Sequence, residues 1–589
     1  MITSIHPAFI FIAAALVVPF FKGKLKSLFV LLVPLFGLTN LLGSSMGYHY
    51  VIPFLDFQLI LFRLDSLSFV FGLIFHVISF IALLYILNFK NDVEYTSGFL
   101  YAGSALGVIF AGDLLTFFIF WECLTVGSMF LILARKTKAS LEAGYRYMMV
   151  HVGGGLILLA GIVMYIAETH SMGFNEIGLG SVATYLIFIG IGINCAWPIF
   201  HTWLTDAYPE ATIGGVIFLS AFTTKTAVYA LARAYPGADI LIWIGTAMAA
   251  FPIFYAVVEN DLRRVLAYSL INQVGFMVVG IGLGTELAIN GSIAHAFNDV
   301  LFKALLFMSV GAVMYRTGKV NATDLGGLYK SMPFTCLFCV IGAASISAFP
   351  LFSGFVSKSM VQTAAADQHY YIVWFVLLFA SAGVFHHAGI KIPFFTFFSH
   401  DAGHRVKEAP WNMLAAMGIA AFLCIFIGVF PQYLYAILPF QVDYQPYTLE
   451  HVLAQSQLLF FSAFAFCLLL LSGIYPSEIR AINIDTDWFY RKGSRLLYRG
   501  LDFGLNGLNA VTRLVVVDKG LGFLTRVTRH APAMFLSVFM TPLWALAGYS
   551  AEERVKRRQY IYQRASRVTF PVGVAAIIAV IFIGALFFL

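Results

Sequence analysis

Runs of about 20 apolar residues recur along this chain from residue 5 to residue 588, and each is long enough to cross a bilayer as a helix. A helix satisfies its own backbone hydrogen bonds in hydrocarbon, whereas a loop or an open strand does not, so these runs constrain the chain to a helical membrane protein. Sixteen such runs can be drawn. Of the 589 residues, 60% are hydrophobic and only 11% charged, which excludes an ordinary soluble domain. The first run, about 5–21, is followed rather than preceded by Lys22, Lys24 and Lys26, so it is expected to remain as a membrane helix and not to act as a secretory signal. All six cysteines lie within apolar runs. Cys336 and Cys339 form a CxxC with no second pair beside it, for which core packing is the expected role.

Basic residues mark one side of the membrane: Arg135, Lys136 and Lys138; Arg263 and Arg264; Arg316, Lys319 and Lys330; His404, Arg405 and Lys407. The intervening stretches 168–181 and 432–455 contain Glu168, Glu176, Asp443 and Glu450 without Lys or Arg and should face the other side, which puts the N-terminus outside. Residues 476–567 hold the excess of Lys and Arg behind the net charge of +7. Within them Leu497, Leu501, Leu508, Val511 and Val515 share one helical stripe, and Arg499, Asp502, Asn506, Asn509 and Arg513 the opposite one, which describes a helix lying on a surface. The run 531–548 has basic residues on both sides and is read as interfacial or re-entrant, ahead of a last membrane helix at 568–588.

An ionisable side chain near the bilayer centre costs several kcal/mol unless paired or hydrated, so each one is a functional candidate. Glu122, Lys225, Lys303 and Lys391 fall well inside apolar runs, and Lys358 follows Pro350, Ser353 and Gly354. His295, Asp299 and Lys303 are successive i, i+4 neighbours and line one helix face over about 12 Å, at roughly 1.5 Å per residue. His387 and Lys391 repeat that spacing. Ion pairs that only join helices are the alternative for any one of these pairs. A buried lysine beside a movable carboxylate can gain and lose its proton, and a set of such groups titrates together, which points to proton relay. Pro198, Pro209, Pro350, Gly214, Gly215 and Gly354 are expected to break helices and free carbonyls near the charges.

The motifs HTWLTDAYPEA (201–211), FWE at Glu122, TTKTAVYAL at Lys225, DLRRVLAYSLINQVGFM (261–277), HAFNDVLFKALLF (295–307) and SGFVSK (353–358) resemble the proton-translocating antiporter-like family. That family includes the D-type subunits of multisubunit sodium/proton (Mrp) antiporters and the antiporter-like subunits of respiratory complex I. The resemblance covers about 65–430 and implies an all-α polytopic fold: a fourteen-helix core of two inverted five-helix repeats with broken helices. It implies N-terminal membrane helices at 1–64, a first half at 65–235, a second half at 236–431 and a C-terminal extension at 432–589. It also implies roles: Glu122 as the fifth-helix carboxylate, Lys225 as the eighth-helix relay, Lys303 with His295 as the link between halves, and Lys358 as the terminal lysine. Asn194 stands where the family usually has a lysine, Tyr208 where it commonly has a histidine, and Thr205 where it has a proline.

The leading reading is therefore the proton-conducting subunit of a cation/proton antiporter in a bacterial inner membrane, with other membrane subunits as partners and protons, with or without sodium, as cargo. A pumping subunit of a complex I-like or hydrogenase-type redox assembly is the nearest alternative. A membrane enzyme using His201 and Asp206, a solute symporter and a structural anchor are more distant ones. No dinucleotide fingerprint, haem CxxCH or iron–sulfur spacing occurs, so no cofactor, no metal and no catalysis are expected in this chain, and no nucleic-acid partner.

Overall fold

The structure, a computed structural model, describes residues 5–89, 91–473, 479, 483–565 and 572–587. Parts of the basic tail (476–478 and 566–567) and of the last apolar run (568–571 and 588) lie outside the described residues. Among those described, 11 helices are long and apolar enough to cross a membrane, and several shorter apolar helices accompany them. The chain is an all-helical polytopic membrane protein with one exception. Residues Gly47–Phe54 and Phe57–Leu64 form an antiparallel hairpin, with Gly47 opposite Leu64 and Phe54 opposite Phe57. The N-terminal 64 residues thus hold two helices, Pro7–Val17 and Gly23–Leu42, and a hairpin rather than helices alone. The 47–64 stretch is rich in β-branched and aromatic residues and turns sharply at Leu55, which has φ 51.

The core is built twice. Asp113 caps the Leu114–Leu133 helix and bridges to Gly173, while Asp261 caps Leu262–Leu283 and bridges to Asn321. Thr137 and Thr285 cap two 32-residue helices, Lys138–Thr169 and Glu286–Thr317, which end in left-handed residues at His170 and Gly318. Asp113 and Asp261, Thr137 and Thr285, His170 and Gly318, and Gly173 and Asn321 are each separated by 148 residues. The Asp113 bridge lies beside the acidic 168–181 loop and the Asp261 bridge beside the basic Arg316 and Lys319, so the second copy crosses the membrane in the opposite sense.

Each copy then contains a discontinuous helix. Val182–Asn194 stops before CAWPIF and resumes at Thr202–Ala207; Pro333–Ile346 stops before SAFPLF and resumes at Ser353–Asp367. In both breaks the alanine and the residue after proline have positive φ: Ala196 60 and Ile199 76, Ala348 57 and Leu351 74. Proline supplies no N–H and clashes with the preceding turn, which ends the first half-helix in each copy. A second kind of break separates Gly215–Ala221 from Thr223–Ala234 at Phe222, and the Tyr371–Val384 helix passes into π-helical winding at Phe385–Ile390.

Contacts divide the chain into a unit ending at Thr486 and a unit beginning at Asp487. The second unit contains a continuous helical run from Asp487 to Leu546, π-helical over Asp502–Asn506 and Arg513–Leu521. The expected stripe residues lie in this run, and the 531–548 stretch falls mostly within its Gly522–Leu546 helix, which contains Pro532 and Pro542.

Candidate functional site

The helix breaks place charge beside unused carbonyls. Lys225 follows the Phe222 break, so its Nζ reaches the released carbonyl of Ser220 at 2.9 Å. The same Nζ lies 2.5 Å from Asp299 Oδ2, and both side chains are 0% exposed. Removing two charges from water is expensive, and only close pairing and further hydrogen bonds repay it. This pair spans the two copies, because Lys225 belongs to the first and Asp299 to the second.

The i, i+4 ladder is real in its order but not in its expected pairing. Asp299 turns to Lys225, and Lys303 donates instead to Ser269 Oγ at 2.9 Å. One turn before Asp299, His295 meets Ser357 Oγ at 3.0 Å and Gln273 Oε1 at 3.2 Å. Lys358, the next residue after Ser357, donates to the carbonyl of Ile346 at 2.8 Å, where the broken helix leaves that carbonyl free, and sits 5.1 Å from the Phe276 ring centroid. Lys358, His295, Asp299 and Lys303 thus follow one another as buried groups, with Lys225 joined to them at Asp299. In the resemblance Lys303 with His295 joins the halves, whereas the direct charge contact between them is Lys225 with Asp299.

Lys391 differs. Its Nζ donates to the carbonyls of Val257 and Glu259, both at 2.6 Å, and of Ala256 at 3.2 Å, at the C-terminal end of the Asp239–Val258 helix. The last carbonyls of a helix lack partners within it and carry partial negative charge, so Lys391 acts as a cap. His387 is buried within the π-helical turn, with no hydrogen-bond partner at either ring nitrogen among the described residues.

Glu122 is half-buried, lines a cavity of about 270 Å³ with Cys123, Thr125 and Met148, and has a buried Oε1 with no partner among the described residues. Gly155 leaves room for it: a Cβ there would lie 1.9 Å from Glu122 Oε1. Asn194 is buried and accepts a hydrogen bond at Oδ1 from His151 Nδ1 at 2.8 Å, a histidine that the pattern of apolar runs did not single out. Glu122→Gln is expected to lower transport less than Lys358→Ala, since the amide fills the same space and Glu122 stands apart from the Lys225–Asp299 pair. Side-by-side flux assays on assembled complexes check this.

Two residues of the enzyme reading have separate partners. Asp206 is bidentate to Arg146, at 2.6 and 2.9 Å. His201 Nε2 lies 3.1 Å from Asp485 Oδ2, which also accepts from Tyr268 Oη at 2.7 Å. No sequence pattern announced this contact, which joins positions 284 residues apart. Burial works against the Asp485 carboxylate, yet the His201 and Tyr268 hydrogen bonds hold it below the usual carboxylate range. Asp485→Ala strands two buried donors and is expected to cost about 1–3 kcal/mol, read as a lowered thermal midpoint in detergent.

Residues 111–385 match the family described as NADH:quinone oxidoreductase/Mrp antiporter, TM. The 111–385 stretch is similar to that family's membrane domain. Hydrogenase-4 component B of Escherichia coli (strain K12) is 27% identical over 479 residues, covering 69% of this chain and 70% of that protein. The Na(+)/H(+) antiporter subunit A1 of Staphylococcus haemolyticus (strain JCSC1435) is 29% identical over 418 residues, or 62% of this chain; the chain spans 52% of that relative's length. Among solved structures, a chain of the Mrp complex from Dietzia sp. DQ12-45-1b has a TM-score of 0.68 at 20% identity, over 74% of this chain and 95% of that one. A chain of the archaeal membrane-bound sulfane sulfur reductase has a TM-score of 0.70 at 21% identity, over 89% and 98%. The antiporter-like fold is therefore shared along most of the chain.

Proposed function

We propose that this chain is the proton-conducting subunit of a multisubunit monovalent cation/proton antiporter in a bacterial inner membrane. The observation that carries the reading is the fully buried Lys225–Asp299 pair between the two copies, continued by Lys303, His295 and Lys358. We assign the working halves to 65–235 and 236–431, and the relay to Glu122, Lys225, His295, Asp299, Lys303 and Lys358, with His387 and Lys391 at its far end. When Asp299 leaves Lys225 for Lys303, one turn along its own helix, the proton affinity of both lysines changes in opposite directions, so a small rotation of one carboxylate moves a proton between halves. The named antiporter relative and the Mrp fold support this reading. The chain lends no residues to redox chemistry in it; partner subunits supply the remaining ion path.

A second reading rests on hydrogenase-4 component B, matched over 70% of its own length against 52% for the antiporter subunit A1, and on the sulfane sulfur reductase chain, which aligns with 89% of this chain against 74% for the Mrp chain. In it, the same relay pumps protons driven by electron transfer in partner subunits. Vesicles containing the complete complex separate the two. Sodium-gradient-driven acidification without an electron donor supports antiport, and acidification only with a donor supports the redox-driven pump.

A further inference from the structure

We propose that His151 is the proton-carrying group of the first copy, exchanging protons with Glu122 and held in position by Asn194. This rests on the relay reading above. The 148-residue correspondence sets Thr137 against Thr285 and His170 against Gly318, and on the same count His151 against Asp299. The second copy thus places at this turn the carboxylate that pairs with Lys225, and the first places an imidazole.

His151 is buried, and its surroundings fix one nitrogen and free the other. Asn194 Oδ1 lies 2.8 Å from Nδ1, and in the tautomer in which Nδ1 donates to that oxygen, Nε2 carries the lone pair. Nε2 is buried with no partner among the described residues. Gly155, one turn further along the same helix, abuts the unpartnered Glu122 Oε1, so Glu122 lies against the turn that follows His151. When a protonated Glu122 gives its proton to Nε2, the carboxylate and the imidazolium form together and the pair's net charge is unchanged. A neutral amide at 194 cannot take the proton, but it orients the ring that does.

The groups around His151 are few. Leu114–Leu133 contributes Glu122, which lies against Gly155 one turn along; Val182–Asn194 contributes Asn194, followed by Cys195; Thr202–Ala207 contributes Trp203, 4.5 Å from the imidazole centroid, and Asp206, engaged by Arg146. On its own helix the Tyr147 ring lies tilted against it, centroids 4.1 Å apart, and its hydroxyl donates to Ser128 Oγ. Among these, only Glu122 combines a titrating group with a vacant buried oxygen.

The test uses the complete complex in vesicles, with assembly checked by native gel. His151→Gln is expected to lower proton transport about tenfold or more, in the range that loss of an acid/base group produces. Adding Asn194→Lys to His151→Gln is expected to restore most of it, because an ammonium then stands beside the vacated ring position. Asn194→Ala, which keeps the imidazole and removes its partner, is expected to shift the pH profile. Should His151→Gln fail to assemble, an unshifted Asn194→Ala profile overturns the proposal. If His151→Gln transports normally while Lys358→Ala is inactive, the His151 assignment falls and the relay reading stands. Normal transport by Lys358→Ala removes the relay reading and this inference with it.

Discussion

Replacing Lys358 with alanine is expected to reduce coupled transport to background while the complex still assembles. Its Nζ donates to the carbonyl of Ile346 and lies over the Phe276 ring. The side chain is buried with no carboxylate in salt-bridge contact among the described residues, so alanine removes a charge without a direct counter-ion there. The structural cost is therefore a small cavity and one unpartnered carbonyl, about 1–3 kcal/mol, which a core of this size tolerates. The functional cost is the whole step between His295 and the far end of the line. Lys358→Arg is expected to retain assembly but not full rate, because a guanidinium does not release its proton in the working range. Flux and native-gel assembly measured together separate the two effects, and assembled Lys358→Ala with normal flux would falsify the relay.

Asp299→Ala has the second large effect, and here stability and transport fall together. Lys225 is left as a buried cation with the Ser220 carbonyl as its hydrogen-bond partner among the described residues, and breaking one side of such a pair typically costs about 3–5 kcal/mol. The double change Lys225→Met with Asp299→Leu replaces both charges by apolar groups of similar volume, and such replacements are commonly neutral or stabilising. The double variant is therefore expected to recover the thermal midpoint that Asp299→Ala loses, without recovering transport. A structural ion pair would behave differently, with transport returning alongside stability.

Much of this was legible in the sequence because lipid leaves few options. Apolar runs announce spans, and a lysine inside one has to be paired or functional, so Lys225, Lys303 and Lys358 stand out without any fold. The breaks at Pro198 and Pro350 follow from the missing proline N–H. The internal repeat leaves only a short trace in the residues, CAWPIF against SAFPLF, while the constant spacing of its caps appears once the helix ends are placed. Other features depend on geometry that no spacing encodes. Asp299 is four residues from Lys303 and 74 from Lys225, yet it contacts the distant partner, because Phe222 breaks the helix that carries Lys225. Lys391 reads as a relay group from its neighbour His387, and the three carbonyls it meets at the end of the Asp239–Val258 helix are partners that no spacing announces. His151 lies alone among apolar and glycine residues and gained meaning only when Asn194 and Glu122 were placed around it. The hairpin at 47–64 was missed because its apolar residues are as hydrophobic as a span and only their β-branched and aromatic character differs.

The most direct measurement of the central claim is proton flux into vesicles containing the complete complex with the Lys225→Met/Asp299→Leu chain, at matched assembly and thermal midpoint. Because the proposed path crosses from one copy to the other through that pair, the account predicts a stable complex with background flux. Flux at the rate of the unaltered complex would contradict it, since protons would then be crossing without the charges that join the two halves.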